Sequence, residues 1–145
     1  MPTAGEPAPP FEAPIQTGKP LALSGLRGKT VVLYFYPEAD TSGCTLESKG
    51  FRDAYPEFQR KGVEIVGVSV DPVDAQAAFA GKYGLPFPLV ADTSKSIARA
   101  YGVLGPSGKA RRVTFLIDPK GTITEVIDVR DAAGHVARAR AALLA

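Results

Sequence analysis

A single cysteine, Cys44, stands in the run Tyr34-Phe-Tyr-Pro37-Glu-Ala-Asp-Thr41-Ser-Gly43-Cys44-Thr-Leu-Glu47. Upstream, Thr30 to Tyr36 is an apolar, β-branched and aromatic stretch with the composition of a central strand, and Pro37 ends its ladder because proline has no N–H to donate. A turn follows, and then a helix from about Ser42. The N–H groups of a helix's first turn have no intrahelical acceptor and carry positive partial charge, so they favour a thiolate over a thiol and offer donors to an incoming oxygen. Thiolate is the nucleophilic form of cysteine, so this placement equips Cys44 to attack. The alternative is a buried inert thiol, the commonest fate of a lone cysteine. A helix-start position behind Thr41 favours the reactive reading.

Other residues near this sulfur, or able to reach it, are of types that could assist. Projecting the Ser42 to Lys61 helix at about 100° per residue gathers Leu46, Gly50, Phe51, Ala54 and Phe58 on one apolar face. Glu47 falls near the middle of that face, with Cys44 toward its edge. An inward carboxylate is costly unless it meets a cation and hydrogen-bond donors, so the fold should supply a partner. Periodicity alone leaves open a plainer role for Glu47 at a local helix end. The Thr41 hydroxyl both donates and accepts, although a threonine there is ordinarily a cap. Arg111 and Arg112 read by themselves as two solvated strand-end charges, and strand alternation would let only one of them enter a site. His135, the one histidine, sits in the last helix with a solvent-facing or packing role expected. Tyr34 and Tyr36 are expected in the core or a pocket wall.

The elements that must position these groups follow in order. Residues 1–12 read as an extended arm anchored by Phe11 and Ile15, with short strands near Ala13 to Gln16 and Lys19 to Leu23. After the Thr30 to Tyr36 strand, the Ser42 to Lys61 helix stops before Gly62 and contains Pro56, which predicts a kink or break near Arg52 to Tyr55. Val63 to Val70 is a second buried strand. Asp71 is placed to cap the next helix with Pro72 in its first position, and Gly84 closes that helix after Tyr83. Leu85 to Val90 forms a strand despite Pro86 and Pro88, and a short helix begins at Asp92-Thr-Ser94 and ends at Gly102. Strands Arg111 to Ile117 and Thr122 to Val129 flank an Asp118-Pro-Lys-Gly121 turn, and Asp131 caps a final amphipathic helix. Helices alternating with buried strands, then a hairpin and a last helix, give an α/β chain with a mixed sheet covered by helices and short strands at its start. That order fits a thioredoxin-like fold, and the pattern alone permits other three-layer arrangements.

Size and charge limit the remaining functions. The 145 residues suit one domain, 1–145, and 45% apolar and 22% charged residues are ordinary for a soluble globular protein. A formal charge of +2 with no basic run beyond Arg111-Arg112 gives no electrostatic case for nucleic acid. No apolar stretch approaches a membrane span, and Met1 to Pro10 lacks the charged start and apolar core of a signal peptide, so a cytoplasmic location is expected. One cysteine makes no internal disulfide, and without a histidine cluster there is no zinc site to propose.

The spacing Pro37-x-x-x-Thr41-x-x-Cys44, the preceding Tyr-Phe-Tyr-Pro, the Gly-Cys-Thr core and Glu47 together resemble the active-site motif of the peroxiredoxins, in particular the bacterioferritin-comigratory or Q-type branch. This resemblance spans nearly the whole chain. It implies a thioredoxin-like fold and a thiol peroxidase that reduces hydrogen peroxide and organic hydroperoxides through a Cys44 sulfenic acid, with no metal, haem or flavin. It assigns Arg112 to hold the thiolate and the peroxide oxygens, Thr41 to fix the peroxide, Pro37 to shield the sulfur, and the Gly43 and Cys44 amides to complete the oxyanion-binding set. Glu47 would position Arg112. The chain departs from the family at the resolving cysteine. Lys49 stands five residues after Cys44 and Ala80 on the next helix, so an external thiol such as thioredoxin, glutaredoxin or a small thiol must complete the cycle, unless a substitution has removed the second cysteine. The branch implies a monomer, with a weak dimer as the alternative. A thiol-disulfide oxidoreductase would need a Cys-x-x-Cys pair, which is absent. The reading from another class is a non-enzymatic redox sensor or partner-binding module built on the same cysteine.

Overall fold

Alternation along one strand sets the layers. Val31, Leu33 and Phe35 point into one apolar core, and Val32, Tyr34 and Tyr36 into the other, as a strand buried on both faces must arrange them. The computed structural model describes residues 1–144. In chain order the elements are β1 (Glu12–Pro14), β2 (Pro20–Ala22), β3 (Thr30–Phe35), α1 (Ser42–Arg60), β4 (Val63–Ser69), α2 (Val73–Tyr83), β5 (Leu89–Ala91), α3 (Ser96–Ala100), β6 (Val113–Ile117), β7 (Ile123–Ile127) and α4 (Ala132–Leu143), with a 3₁₀ turn over Leu23–Leu26. β1 and β2 form a small antiparallel pair. The other five strands make one sheet in the order β5-β4-β3-β6-β7. β3, β4 and β5 run parallel, and β6 and β7 are antiparallel additions on the far side of β3. One face is covered by α1 and α4, joined by Phe79 of α2, and the other by α3 and the N-terminal segment. This is the mixed, helix-covered sheet with short N-terminal strands that the sequence predicts.

Several details differ from the sequence reading for identifiable reasons. Asp71 does not cap α2, and Pro72 is the residue before the helix, where it takes the N-cap place. The Asp71 carboxylate instead accepts from Ala39 N–H at 2.8 Å and the Ser69 hydroxyl at 2.6 Å, so it braces the loop ahead of Cys44. The fifth strand is confined to Leu89–Ala91, because Pro86 and Pro88 have no N–H for a ladder. Gln16 serves that stretch: its side-chain amide donates to Phe87 C=O at 2.9 Å and accepts from Leu89 N–H at 2.7 Å. α1 runs unbroken through Pro56, so the predicted break does not occur. Leu46, placed on the apolar face by projection, is 57% exposed. The buried arc of α1 comprises Cys44, Glu47, Ser48, Phe51, Ala54, Tyr55 and Phe58. It centres on Phe51, and Leu46 lies roughly 140° from that centre.

The first residues are laid against β7 rather than left as a free arm. Gly5 N–H donates to Ile123 C=O at 2.8 Å, Ala8 N–H to Gly121 C=O at 2.9 Å and Ile123 N–H to Glu6 C=O at 2.9 Å. Phe11 and Ile15 pack against the core as expected. Among the described residues no helix is long and apolar enough to cross a membrane.

Candidate active site

The sulfur's position is set by the chain between β3 and α1, which is pinned at several points. Thr41 Oγ1 donates to Glu38 C=O at 2.8 Å, and Lys109 pairs with the Glu38 carboxylate. Asp40 adopts a positive φ of 61°, an uncommon conformation for a residue with a side chain. There its carboxylate accepts from Lys82 Nζ at 2.9 Å and the Tyr83 hydroxyl at 2.6 Å, both at the end of α2. Thr41 is the N-cap of α1 and its side chain makes no capping bond. The helical ladder starts with Thr45 N–H donating to Thr41 C=O at 2.8 Å. The Ser42, Gly43 and Cys44 amides therefore lie ahead of the ladder, where they present partial positive charge.

Cys44 is 1% exposed, and a charged side chain far along the chain reaches it. Arg112, just before β6, places Nη2 at 3.5 Å from Cys44 Sγ and Nη1 at 2.6 Å from Glu47 Oε1. One guanidinium fork thus spans the sulfur and the carboxylate, a geometry lysine does not offer. Burial pushes the Glu47 carboxyl up to about 8, against the downward pull of Arg112. Burial also works against charge on Arg112, but Glu47 and Cys44 outweigh it and hold the guanidinium above its ordinary value. Arg112 also lines a cleft of about 530 Å³ with Arg111, Asp128, Val129 and Arg130.

The structure gathers Cys44, Glu47 and Gly43 around the Arg112 guanidinium and puts Thr41 at the mouth of the helix, while Pro37 follows Tyr36 half-buried. Arg111 turns away, with Nη2 at 3.0 Å from an Asp128 carboxylate oxygen, so alternation separates the two arginines as expected. Tyr34 and Tyr36 are fully buried; the Tyr34 hydroxyl bonds Ser48 at 2.9 Å and that of Tyr36 donates to Gln76 at 2.5 Å. Lys49, at the first position where the resemblance would place a resolving cysteine, is exposed, and Ala80, at the second, is half-buried on α2.

One neighbour of this cluster escaped the sequence reading. His135 is fully buried, which excludes the solvent-facing role, and its Nδ1 lies 3.6 Å from Glu47 Oε2. The available signal was spacing: Ala132, His135 and Ala139 are the buried residues of α4 and recur at helical intervals, so the histidine belongs to an inward stripe.

Gly43 has a packing reason to lack a side chain. A Cβ there would stand 2.8 Å from Arg112 Nη2. Gly43→Ala must displace the end of that guanidinium, which is held by Glu47 and Cys44. If Cys44 is the peroxide-reactive thiol that the resemblance implies, the expected result is slower oxidation of Cys44, by about tenfold or more, with stability altered by roughly 1 kcal/mol or less. Stopped-flow rates and a denaturant melt check it; an unchanged rate would show that Arg112 tolerates the shift.

Residues 4–126 match the AhpC/TSA family model. A putative peroxiredoxin bcp of Coxiella burnetii is 41% identical over 140 residues, covering 92% of this chain and 93% of that one. The crystal structure of a peroxidoxin BcpB from Mycobacterium tuberculosis superposes with a TM-score of 0.94 at 38% identity, over 99% of this chain and 97% of that one. A bacterioferritin comigratory protein from Xanthomonas campestris, studied for its alkyl peroxide reduction activity, gives 0.87 at 33% identity over 92% and 90%.

Proposed function

Because the chain belongs to the AhpC/TSA family and is a peroxiredoxin of the Bcp/Q kind, a thiol-dependent peroxidase with a thioredoxin-like fold, we propose that it reduces hydrogen peroxide and organic hydroperoxides at Cys44 and is regenerated by an external thiol. The observation that carries this reading is the single guanidinium of Arg112 within hydrogen-bonding reach of both Cys44 Sγ and Glu47 Oε1. The Xanthomonas campestris relative and its alkyl peroxide activity support extending the substrate class to organic hydroperoxides.

In the first step the Cys44 thiolate attacks one peroxide oxygen. The S–O bond forms as the O–O bond breaks, sulfur is oxidised by two electrons to the sulfenic acid, and the departing oxygen takes a proton from solvent, equal to the one the thiol released on ionising, to leave as water or an alcohol. Arg112 and the Gly43 and Cys44 amides stabilise the negative charge that moves from sulfur onto the leaving oxygen. Thr41 has its own hydrogen committed to Glu38 C=O, so its lone pairs are free to accept from the peroxide O–H and hold the two oxygens in line. Pro37, half-buried and without an N–H, takes the shielding role that the family resemblance implies.

The second step needs a thiol from outside, since the chain has one cysteine. That thiol attacks the sulfenic sulfur and water departs, leaving a mixed disulfide; a second thiol then releases Cys44 as thiolate. With no internal thiol competing, a second peroxide converts the sulfenic acid to sulfinic acid.

Reduced protein mixed with one equivalent of peroxide should gain the mass of one oxygen atom, which a dimedone-type trap captures. Adding thioredoxin, glutaredoxin or a small thiol in separate arms should restore the reduced mass, and the arm that supports repeated turnover names the reductant. Oxidation that no thiol reverses catalytically would favour a stoichiometric redox sensor, and a thiol that reacts no faster than free cysteine would refute the peroxidase.

A further inference from the structure

A full account of the hydrogen bonds behind Arg112 leaves one atom over. Glu47 Oε2 is buried and, among the described residues, is the one buried side-chain nitrogen or oxygen without a hydrogen-bond partner. An orphaned carboxylate oxygen in a dry core is costly, so an arrangement that satisfies it should be favoured. Its polar neighbour is His135 Nδ1 at 3.6 Å, a few tenths of an ångström beyond a good hydrogen bond.

The imidazole's other contacts fix which nitrogen can meet it. His135 Nε2 lies 2.7 Å from Val129 C=O. A carbonyl only accepts, so Nε2 carries a hydrogen and the neutral ring presents Nδ1 as an acceptor. Thr114 Oγ1 lies 2.8 Å from Nδ1 and, as a hydroxyl, can either donate to it or accept from it. With Glu47 ionised and His135 neutral, two lone-pair atoms face each other across 3.6 Å. One added proton removes the conflict between Glu47 and the ring, either as a carboxylic acid donating to Nδ1 once the Thr114 hydroxyl turns its hydrogen elsewhere, or as an imidazolium whose Nδ1–H is shared between Thr114 Oγ1 and the carboxylate.

We propose that His135 is a positioning residue of the peroxidatic site, sharing one proton between its Nδ1 and Glu47 Oε2 and so setting how much of the Arg112 charge is left for the Cys44 sulfur. With the proton in place, Glu47 and His135 together are neutral and the guanidinium's charge is directed at sulfur. Once it is lost, the carboxylate at 2.6 Å from Nη1 neutralises Arg112 and the thiolate loses its main attraction. The two protonations are coupled: forming the thiolate makes the shared proton harder to remove.

The groups that act on this pair come from every element packed around it. Glu47 lies on α1, Thr114 on β6 and Arg112 just before β6. Asp128 and the Val129 carbonyl belong to the β7–α4 connection, and Arg138 lies farther along α4. Tyr34 of β3 faces both Glu47 and Cys44. Burial holds the imidazole below its ordinary value, with Arg112 and Arg138 acting the same way against Val129 and Asp128. Burial also keeps Glu47 protonated up to about 8, so near neutral pH the carboxyl carries the proton and Nδ1 accepts it.

The inference rests on Cys44 being the peroxidatic thiol, and its test separates the two. His135 is the only histidine and Cys44 the only cysteine, so imidazole ¹⁵N resonances and thiolate absorbance each report one residue of the intact protein. On titration the Nε2–H tautomer should persist, and the Nδ1 resonance should move with an inflection that coincides with thiolate formation; Glu47→Gln should abolish that movement. His135→Gln, which keeps a donor for the Val129 carbonyl, should move the thiolate inflection up by about one pH unit. Its reaction with peroxide should then be about tenfold slower on the acid side and converge with wild type on the alkaline side. A purely structural loss would slow the reaction equally at every pH and overturn the proposal. So would an Nδ1 resonance indifferent to thiolate formation, and this wild-type measurement decides the matter even if His135→Gln does not fold. Wild-type protein inert to peroxide would instead refute the peroxidase reading, while the titration stands independently.

Discussion

Replacing Arg112 by alanine is expected to slow the oxidation of Cys44 by peroxide about 10²–10³-fold, the usual effect of removing one preorganised donor from a site of developing negative charge, or about 2.7–4 kcal/mol. Arg111→Ala should stay within about twofold of wild type, since Arg111 pairs with Asp128 at the surface. Comparable losses in both variants would mean that charge near the cleft matters and the contact with sulfur does not. Stability should respond as well. Glu47 is raised in the folded protein from 4.5 to about 8, so the native state binds a proton that the unfolded chain gives up. Stability from this group is fully present below about 4.5 and is lost as pH rises through about 8. Without Arg112, which pulls Glu47 downward, the loss should extend to higher pH. Denaturant melts across that range, compared with wild type, measure it.

Cys44→Ser should abolish catalytic peroxide turnover to the uncatalysed level while leaving the circular dichroism spectrum intact and stability within about 1–2 kcal/mol. The hydroxyl fits the space of the thiol but stays protonated at neutral pH and cannot be carried to an acid by peroxide. Peroxide consumption at the wild-type rate by this variant would place the chemistry elsewhere in the chain. Together the two variants separate the reacting atom from the group that supports it, because Arg112→Ala retains a slow reaction that Cys44→Ser lacks.

How much of this was legible depended on distance along the chain. Pro37, Thr41, Gly43, Cys44 and Glu47 fall within eleven residues, and local rules for strand ends and helix starts were enough to suggest a reactive thiol there. Arg112 reaches Cys44 from 68 positions away, and no local rule distinguishes it from Arg111. Strand parity said that one of the two could enter and the family resemblance said which. His135 fared worst, since a single histidine in a helix makes no pattern by itself and its partners, Thr114, Val129 and Glu47, come from three different parts of the chain. Asp71 shows the opposite failure: Asp-Pro before a helix is a strong local cap signal, and it lost to the tertiary demand for a carboxylate at Ala39 N–H. The face of α1 was misjudged at Leu46 because projection gives the period but not the rotation of a helix about its axis.

Asp40 holds a left-handed backbone conformation at φ 61°, one that aspartate takes more readily than most residues with side chains, and the Lys82 and Tyr83 side chains fasten it there. The loop before Cys44 thus has one of its ties on the outer surface. The turn is therefore held partly by an exposed ion pair, the kind of contact that salt screens. A sulfur with almost no surface of its own is thereby linked to the ionic strength of the medium, through a residue four positions away that takes no part in the reaction.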